Sequence, residues 1–253
     1  ARALARLAAD GHRGDVGSLA FSAGGRHLVS SSDDRTLRLW DAASGAALRA
    51  VSTGAAGCGN SGVEVDGALI ASCDDGVLRR WDAGGGVRAL ALGGWLRYLA
   101  LAPGGGELVA GHAGGEVARI ELAAWRVAQR ATVHAHHVYG VQYAADGRVV
   151  TAGLDDHVRV LAPGTLAVEL DVRAGTDDGV LTAALSPDGG QLAIGTQDGH
   201  VHVWDTRARA WRVRGAGGGG LSTVWQLVFS PDGARAFTAS DDGLVRVWST
   251  QTW

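Results

Sequence analysis

The chain has 253 residues, a formal net charge of −3 and two cysteines. This charge balance gives no reason to expect non-specific binding to nucleic acid or to a membrane surface. No apolar run is long enough to span a bilayer. Two cysteines are too few for a disulfide-stapled secreted fold. We therefore expect a cytoplasmic protein in which Cys58 and Cys73 are free thiols, with a disulfide between them as the alternative.

Residue usage is biased. The chain contains no Lys and no Met, and Asn60 is its single Asn. All positive side-chain charge is carried by Arg, and Ala, Gly, Val and Asp are abundant, which indicates a GC-rich, bacterial gene. The missing initiator Met indicates either a piece of a longer protein or a processed chain, and we expect a fused effector domain in the full-length protein.

A segment that ends in Trp-Asp returns along the chain at intervals near 40 residues. The first copy runs from Asp33 to Asp41. A unit of this size cannot bury its own apolar face, so neighbouring units must stack. The sequence therefore predicts one domain over residues 1–253, built from six repeats. The equivalent positions are Trp40, Trp81, Ile120, Leu161, Trp204 and Trp248.

Each repeat reads as four short strands, labelled a to d from the inside outward. In the first repeat these are residues 16–21, 27–31, 36–40 and 47–51. Alternating apolar residues and β-branched side chains favour strands, and no helical period of comparable length appears. The pattern is typical of an all-β protein.

The repeats resemble the WD40 repeat family over essentially the whole chain. The resemblance rests on Gly11-His12, on the Ser-Pro-Asp-Gly turns at 186–189 and 230–233, and on the Trp-Asp endings. It implies a six-bladed WD40 β-propeller, with a fragment of a seven-bladed ring as the alternative. The last repeat stops after strand c, and residues 1–7 resemble a strand d. We therefore expect the N-terminal strand to close the last blade.

The resemblance also implies a buried hydrogen-bonded tetrad of His, Ser or Thr, Asp and Trp in each blade. The first repeat is complete, with His12, Ser30, Asp34 and Trp40. The fourth keeps His134, Thr151 and Asp155, and the fifth has Ile194 at the Ser position. We interpret these His–Asp pairs as structural, because a satisfied buried network needs no substrate.

No motif of an enzyme is present, so we expect no catalytic residue and no cofactor. A metal site formed by His112, His134, His136 and His137 is conceivable. We favour the interpretation that His134 belongs to the tetrad and that the other histidines lie in solvated loops, without a metal.

The resemblance implies that ligands engage the face made by the d–a and b–c loops. Three positions per blade line its rim: the residues on either side of the first apolar residue of strand a, and the residue before the turn Asp. In the second and fifth repeats they include Gly59, Ser61 and Leu181. We expect Trp95, Arg97, Tyr139 and Trp225 on one face, with Asp33 and Asp241 across from them. The predicted partner-binding residues are Trp95, Arg97, His137, Tyr139, Trp225, Asp15, Asp33, Asp74 and Asp241.

Such a rim suits a protein or peptide with an apolar anchor and basic groups. Our leading hypothesis is a non-catalytic protein-recognition or scaffold module, the sensor or regulatory domain of a larger bacterial protein. The alternative is a propeller enzyme or small-molecule binder that uses the central channel. Neither nucleic acid nor membrane is an expected partner.

Overall fold

The computed structural model describes residues 11–22, 24–54, 57–58, 61–176, 179–216 and 223–253. Within these ranges the regular structure consists of β-strands, without any α-helix. The described part of the chain accordingly contains no helix that is long and apolar enough to cross a membrane.

The first three sheets have four antiparallel strands each, paired in chain order. Sheet one contains β1 (Val16–Phe21), β2 (His27–Ser32), β3 (Thr36–Asp41) and β4 (Ala47–Ser52). Sheet two contains β5 (Ser61–Val65), β6 (Ala68–Ser72), β7 (Val77–Trp81) and β8 (Val87–Ala91). Sheet three contains β9 (Leu96–Leu101), β10 (Glu107–His112), β11 (Glu116–Glu121) and β12 (Arg126–Thr132).

The last three sheets repeat this order. Sheet four contains β13 (Val138–Tyr143), β14 (Val149–Gly153), β15 (His157–Leu161) and β16 (Val168–Arg173). Sheet five contains β17 (Val180–Leu185), β18 (Gln191–Thr196), β19 (Val201–Asp205) and β20 (Ala210–Ala216). Sheet six has three described strands, β21 (Val224–Phe229), β22 (Arg235–Ser240) and β23 (Val245–Ser249).

The predicted fold class is confirmed: the six sheets are the six blades of an all-β, six-bladed β-propeller. The chain divides into two compact units. Unit one comprises residues 1–112 and 119–128, and unit two comprises residues 113–118 and 129–253. The predicted closing strand, residues 1–7, lies outside the described residues. The assignment of residues 1–253 to a single domain stays a prediction.

Each unit has its apolar core between the faces of consecutive sheets. In unit one, Val29 of sheet one packs in one cluster with Leu69 of sheet two. In unit two, the buried Ala184 of sheet five packs with Leu227 of sheet six. These contacts arise because alternate side chains of each strand point to opposite faces, so both faces of an inner sheet need a neighbour.

The predicted tetrad of the first blade is confirmed. His12 Nδ1 lies 3.0 Å from the Asp34 carboxylate, and His12 Nε2 lies 2.6 Å from Ser30 Oγ. The indole Nε1–H of Trp40 donates to the same hydroxyl at 2.8 Å. Burial alone would raise the pKa of Asp34, but hydrogen bonds from Thr36, the Arg13 N–H and His12 hold it well below its usual range. The network fixes strands β2 and β3 to the loop that precedes β1.

Sheets four and five show what an incomplete tetrad does. His134 keeps hydrogen-bond contacts with Asp155 at 2.8 Å and with Thr151 at 2.9 Å. In sheet five, Ile194 replaces the hydroxyl, and the buried Nε1–H of Trp204 has no acceptor. The consequence is an apolar contact where the first blade has a hydrogen bond: the Trp204 ring packs edge-on against Trp211 at 5.1 Å.

Candidate functional site

A β-bulge lies near the start of strand a in five of the six sheets. In sheet three, Leu96 pairs with His112 and Tyr98 pairs with Gly111, so Arg97 is the extra residue of the bulge. A bulge re-aims the extra side chain out of the regular pleat. The bulged positions coincide with the second predicted rim position in these sheets, and they are Gly17, Arg97, Tyr139, Leu181 and Trp225.

Sheet two departs from this arrangement. Ser61 pairs directly with Ser72, and its side chain is buried, so the expectation that Ser61 lines the rim is wrong. The physical reason is the regular pairing, which keeps Ser61 inside the pleat. The other rim position expected in this sheet, Gly59, lies outside the described residues.

A recurring backbone hydrogen bond joins the d–a and b–c loops in sheets one, four, five and six. The N–H of Asp33 donates to the carbonyl of Asp15 at 3.0 Å, and the N–H of Asp241 donates to that of Thr223 at 3.2 Å. The same bond recurs in sheets four and five. In these four sheets the residue before the turn Asp is therefore fixed beside the residue that precedes strand a.

Unit one brings three of the predicted residues together in what we call the Trp95 cluster: Trp95, Arg97 and Asp74. Trp95 is 36% exposed, and its Nε1–H donates to Asp74 Oδ1 at 2.7 Å. The guanidinium carbon of Arg97 lies 4.9 Å from the centre of the Trp95 ring, within the range of a cation–π interaction. An exposed indole is thus held on one side by a carboxylate and on another by a guanidinium.

Unit two contains an analogous pair, which we call the Trp225 pair. Trp225 is 40% exposed, and its Nε1–H donates to Oδ1 of Asp241. The expectation that Asp241 lies across from Trp225 is wrong. The bulge turns Trp225 toward the b–c corner of its own sheet, where Asp241 begins the turn.

The other predicted residues fall into two smaller groups. His137 and Tyr139 flank Val138 in unit two, and their rings meet edge-on at 6.4 Å. Asp15 and Asp33 are both exposed in unit one and are joined through their backbones. Leu181, also at a bulge, is only 3% exposed and so presents no contact area.

The cysteine expectation is wrong, because Cys58 and Cys73 form a disulfide. Both residues are buried. The bond joins the loop before β5 to the residue directly preceding Asp74, and the Asp74 N–H donates to the carbonyl of Gly57. The disulfide therefore helps to fix the position of Asp74, a member of the Trp95 cluster. Because the two thiols are not free, they give no argument for a reducing compartment. The sequence signal that could have indicated this disulfide is the position of Cys73 next to a predicted rim residue.

The described residues offer no metal centre: nowhere among them do three His, Cys, Asp or Glu side chains come close enough to hold an ion. Two His–Asp pairs, His12 with Asp34 and His134 with Asp155, belong to the tetrads. Each His also contacts a buried Ser or Thr hydroxyl of its own sheet. What the exposed site residues can do chemically is to present aromatic, cationic and anionic groups to a partner.

Comparison with protein families finds WD40 repeats in three segments of the chain. The model of the WD40 family, described as WD domain, G-beta repeat, matches residues 5–41, 169–205 and 218–249. The second segment begins in strand β16 of sheet four and continues through β19 of sheet five. A search of curated proteins found no relative of this chain.

Proposed function

We propose that this propeller of WD40 repeats is a non-catalytic recognition module that binds a protein or peptide through exposed tryptophans, at the Trp95 cluster in unit one and, separately, at the Trp225 pair in unit two. Such propellers commonly mediate protein interactions. One observation carries the proposal: two exposed tryptophans, both at predicted rim positions, are each tied by the indole N–H to an Asp of a b–c turn.

The physical argument is preorganisation. Trp and Arg are the residue types most enriched at interface hot spots, where a few anchors contribute most of the binding free energy. A side chain already fixed by a hydrogen bond loses less conformational entropy on binding than a freely rotating one. Both tryptophans keep exposed ring surface while their polar atoms are satisfied within the protein, which suits contact with an apolar anchor of the partner.

The charges of the predicted rim residues suggest which other groups the partner carries. Asp15, Asp33, Asp74 and Asp241 are all exposed carboxylates. Carboxylates around an aromatic anchor favour a partner that carries Arg or Lys next to an apolar side chain. The same charges disfavour the phosphate backbone of nucleic acid.

In the larger context, we propose that the module serves as the sensor or regulatory part of a bacterial cytoplasmic protein with a fused effector domain. The composition of the chain supports the bacterial origin. The fused domain is proposed by analogy with other WD40 propellers, which are often joined to a domain with its own activity.

Selection from a phage-displayed peptide library tests the proposal. The wild-type chain should enrich peptides that combine a large apolar residue with one or more basic residues. A chain that carries Trp95→Ala and Trp225→Ala should not enrich them, whereas Val168→Ala, at an exposed residue of outer strand β16, should. Enrichment of the same peptides by the double variant would refute the proposed site.

A further inference from the structure

A recess lies at the far end of strand a in unit one, away from the rim positions. Strands β5 and β6 are joined by the two residues Asp66 and Gly67, both with positive φ, as in a tight type I′ hairpin. The corresponding connections in sheets one and three are five residues long, 22–26 and 102–106. The short turn leaves a cavity of about 520 Å³, lined by residues of all three connections. This volume is in the range of small-molecule sites.

The residue that faces this recess breaks the pattern of the repeats. Glu64 pairs with Leu69, which in turn pairs with Trp81 of strand c. The same register position is apolar or aromatic in every other sheet, where it is occupied by Phe21, Leu101, Tyr143, Leu185 and Phe229. A charged residue at one of six equivalent positions, with apolar or aromatic residues at the other five, is the kind of local inconsistency that marks functional sites.

The surroundings of Glu64 leave one carboxylate oxygen poorly compensated. The side chain is only 7% exposed. Its Oε1 accepts the N–H of Gly67 at 2.6 Å. Its Oε2 lies 3.5 Å from Nδ1 of His27, which is longer than a charge-assisted hydrogen bond. A buried carboxylate is costly unless donors or an opposite charge compensate it.

We propose that this recess binds an ammonium group, which donates to Glu64 Oε2. Glu64 and Asp66 supply two negative charges to the lining, against one from Arg26. Gly24, Gly104 and Gly106 leave open space where side chains would otherwise stand. The chain contains no Lys. The ammonium group is therefore that of a small amine or that of a lysine side chain of a partner.

A titration followed by NMR tests the proposal. The amide signal of Gly67 reports on Glu64, because that amide donates to its carboxylate. Addition of n-propylamine at pH 7, where it is an ammonium ion, should shift this signal in a saturable manner, and 1-propanol should not. Lysine blocked at both its α-amino and carboxyl groups is the second probe. Tighter binding of blocked lysine than of propylamine would identify a partner's lysine as the source, and the reverse would identify a small amine.

Two variants with matched controls secure the assignment. Glu64→Gln should weaken amine binding at least tenfold, whereas Glu169→Gln, at an exposed carboxylate of β16, should leave it unchanged. Gly104→Leu should block the recess without altering Glu64, and Gly84→Leu, in an equally open turn, should not. The proposal is overturned if neither amine shifts Gly67, if propanol shifts it equally, or if Glu64→Gln binds like the wild type. Trp95→Ala and Trp225→Ala should leave amine binding intact, so this test is independent of the rim.

Discussion

The indole Nε1–H of Trp225 is hydrogen bonded to Oδ1 of Asp241, while the next residue, Asp242, has a different set of partners. Asp242 accepts from Ser240 at 2.8 Å and from Arg246, within its own turn and strand. Two adjacent carboxylates of one turn thus serve different ends. Asp241 orients an exposed aromatic side chain, and Asp242 closes the turn between β22 and β23.

This division predicts opposite outcomes for two neighbouring substitutions. Asp241→Ala should leave the melting temperature nearly unchanged, because the bond that it removes is exposed, and it should weaken partner binding by freeing the Trp225 ring. Asp242→Ala should lower the melting temperature, because it removes the turn contacts. Differential scanning calorimetry and a binding titration on both variants make the comparison. Equal melting temperatures for the two variants would contradict the assignment.

The tetrads predict a contrast between two tryptophans of equivalent register. Trp40→Phe should cost about 1 kcal/mol of unfolding free energy, because it leaves Ser30 without the indole donor. Trp204→Phe should cost less, because the Trp204 N–H has no acceptor to lose. Urea unfolding of both variants at neutral pH measures the difference. A larger loss for Trp204→Phe would show that the hydrogen bond of Trp40 is not what stabilises the first blade.

The disulfide predicts a redox-dependent stability. Its two cysteines are 15 residues apart in sequence. A cross-link that closes a loop of this size stabilises by up to ~3 kcal/mol, chiefly by restricting the unfolded chain. Reduction of the wild type should therefore lower the melting temperature to that of the Cys58→Ala, Cys73→Ala double variant. A reductant should have no effect on the double variant itself. An unchanged melting temperature on complete reduction of the wild type, verified by thiol titration, would refute a stabilising bond.

A buried histidine predicts a pH dependence. Neither ring nitrogen of His202 has a hydrogen-bond partner, and the ring packs edge-on against Trp211 at 5.8 Å. Burial lowers the pKa of His202 below its ordinary value of 6.5, assisted by the charge of Arg214 and opposed by that of Asp198. The unfolded chain therefore binds a proton that the folded chain rejects, so stability is lost as the pH falls below about 6.5.

The check is a pair of urea titrations, at pH 7 and at pH 5.5. His202→Leu should lose less stability over this interval than the wild type does, because it removes the group that resists protonation. His134 contributes in the same direction, since burial lowers its pKa too. His136→Leu, at an exposed site, is the control and should follow the wild type. An identical loss in His202→Leu would assign the pH dependence to other groups.

The repeat explains why much of this architecture was predictable from sequence. Equivalent residues recur at fixed offsets from each Trp. His12, Ser30 and Asp34 could therefore be placed in one network from the sequence alone. The bulge of strand a also recurs with the repeat, at the second predicted rim position in five of the six sheets. Features that one repeat does not share could not be found in this way.

Three such features were not among the leading predictions from the sequence. The bond from Trp95 to Asp74 links two sheets, and offsets within a repeat say nothing about it. The disulfide depends on how closely two loops approach, which their lengths alone do not determine. The burial of Glu64 became visible only with the strand register and the short turn that follows it. In each case the deciding information is a distance between segments rather than a residue pattern.

The central claim is that the exposed tryptophans anchor a protein or peptide partner. The most direct test is isothermal titration of a peptide enriched by the wild-type chain against Trp225→Ala and Val168→Ala. A desolvated aromatic anchor contributes ~2 kcal/mol or more, so Trp225→Ala should weaken binding roughly thirtyfold with an unchanged melting temperature. Val168→Ala should bind like the wild type. Unchanged affinity in Trp225→Ala, and again in a variant that also carries Trp95→Ala, would contradict the claim.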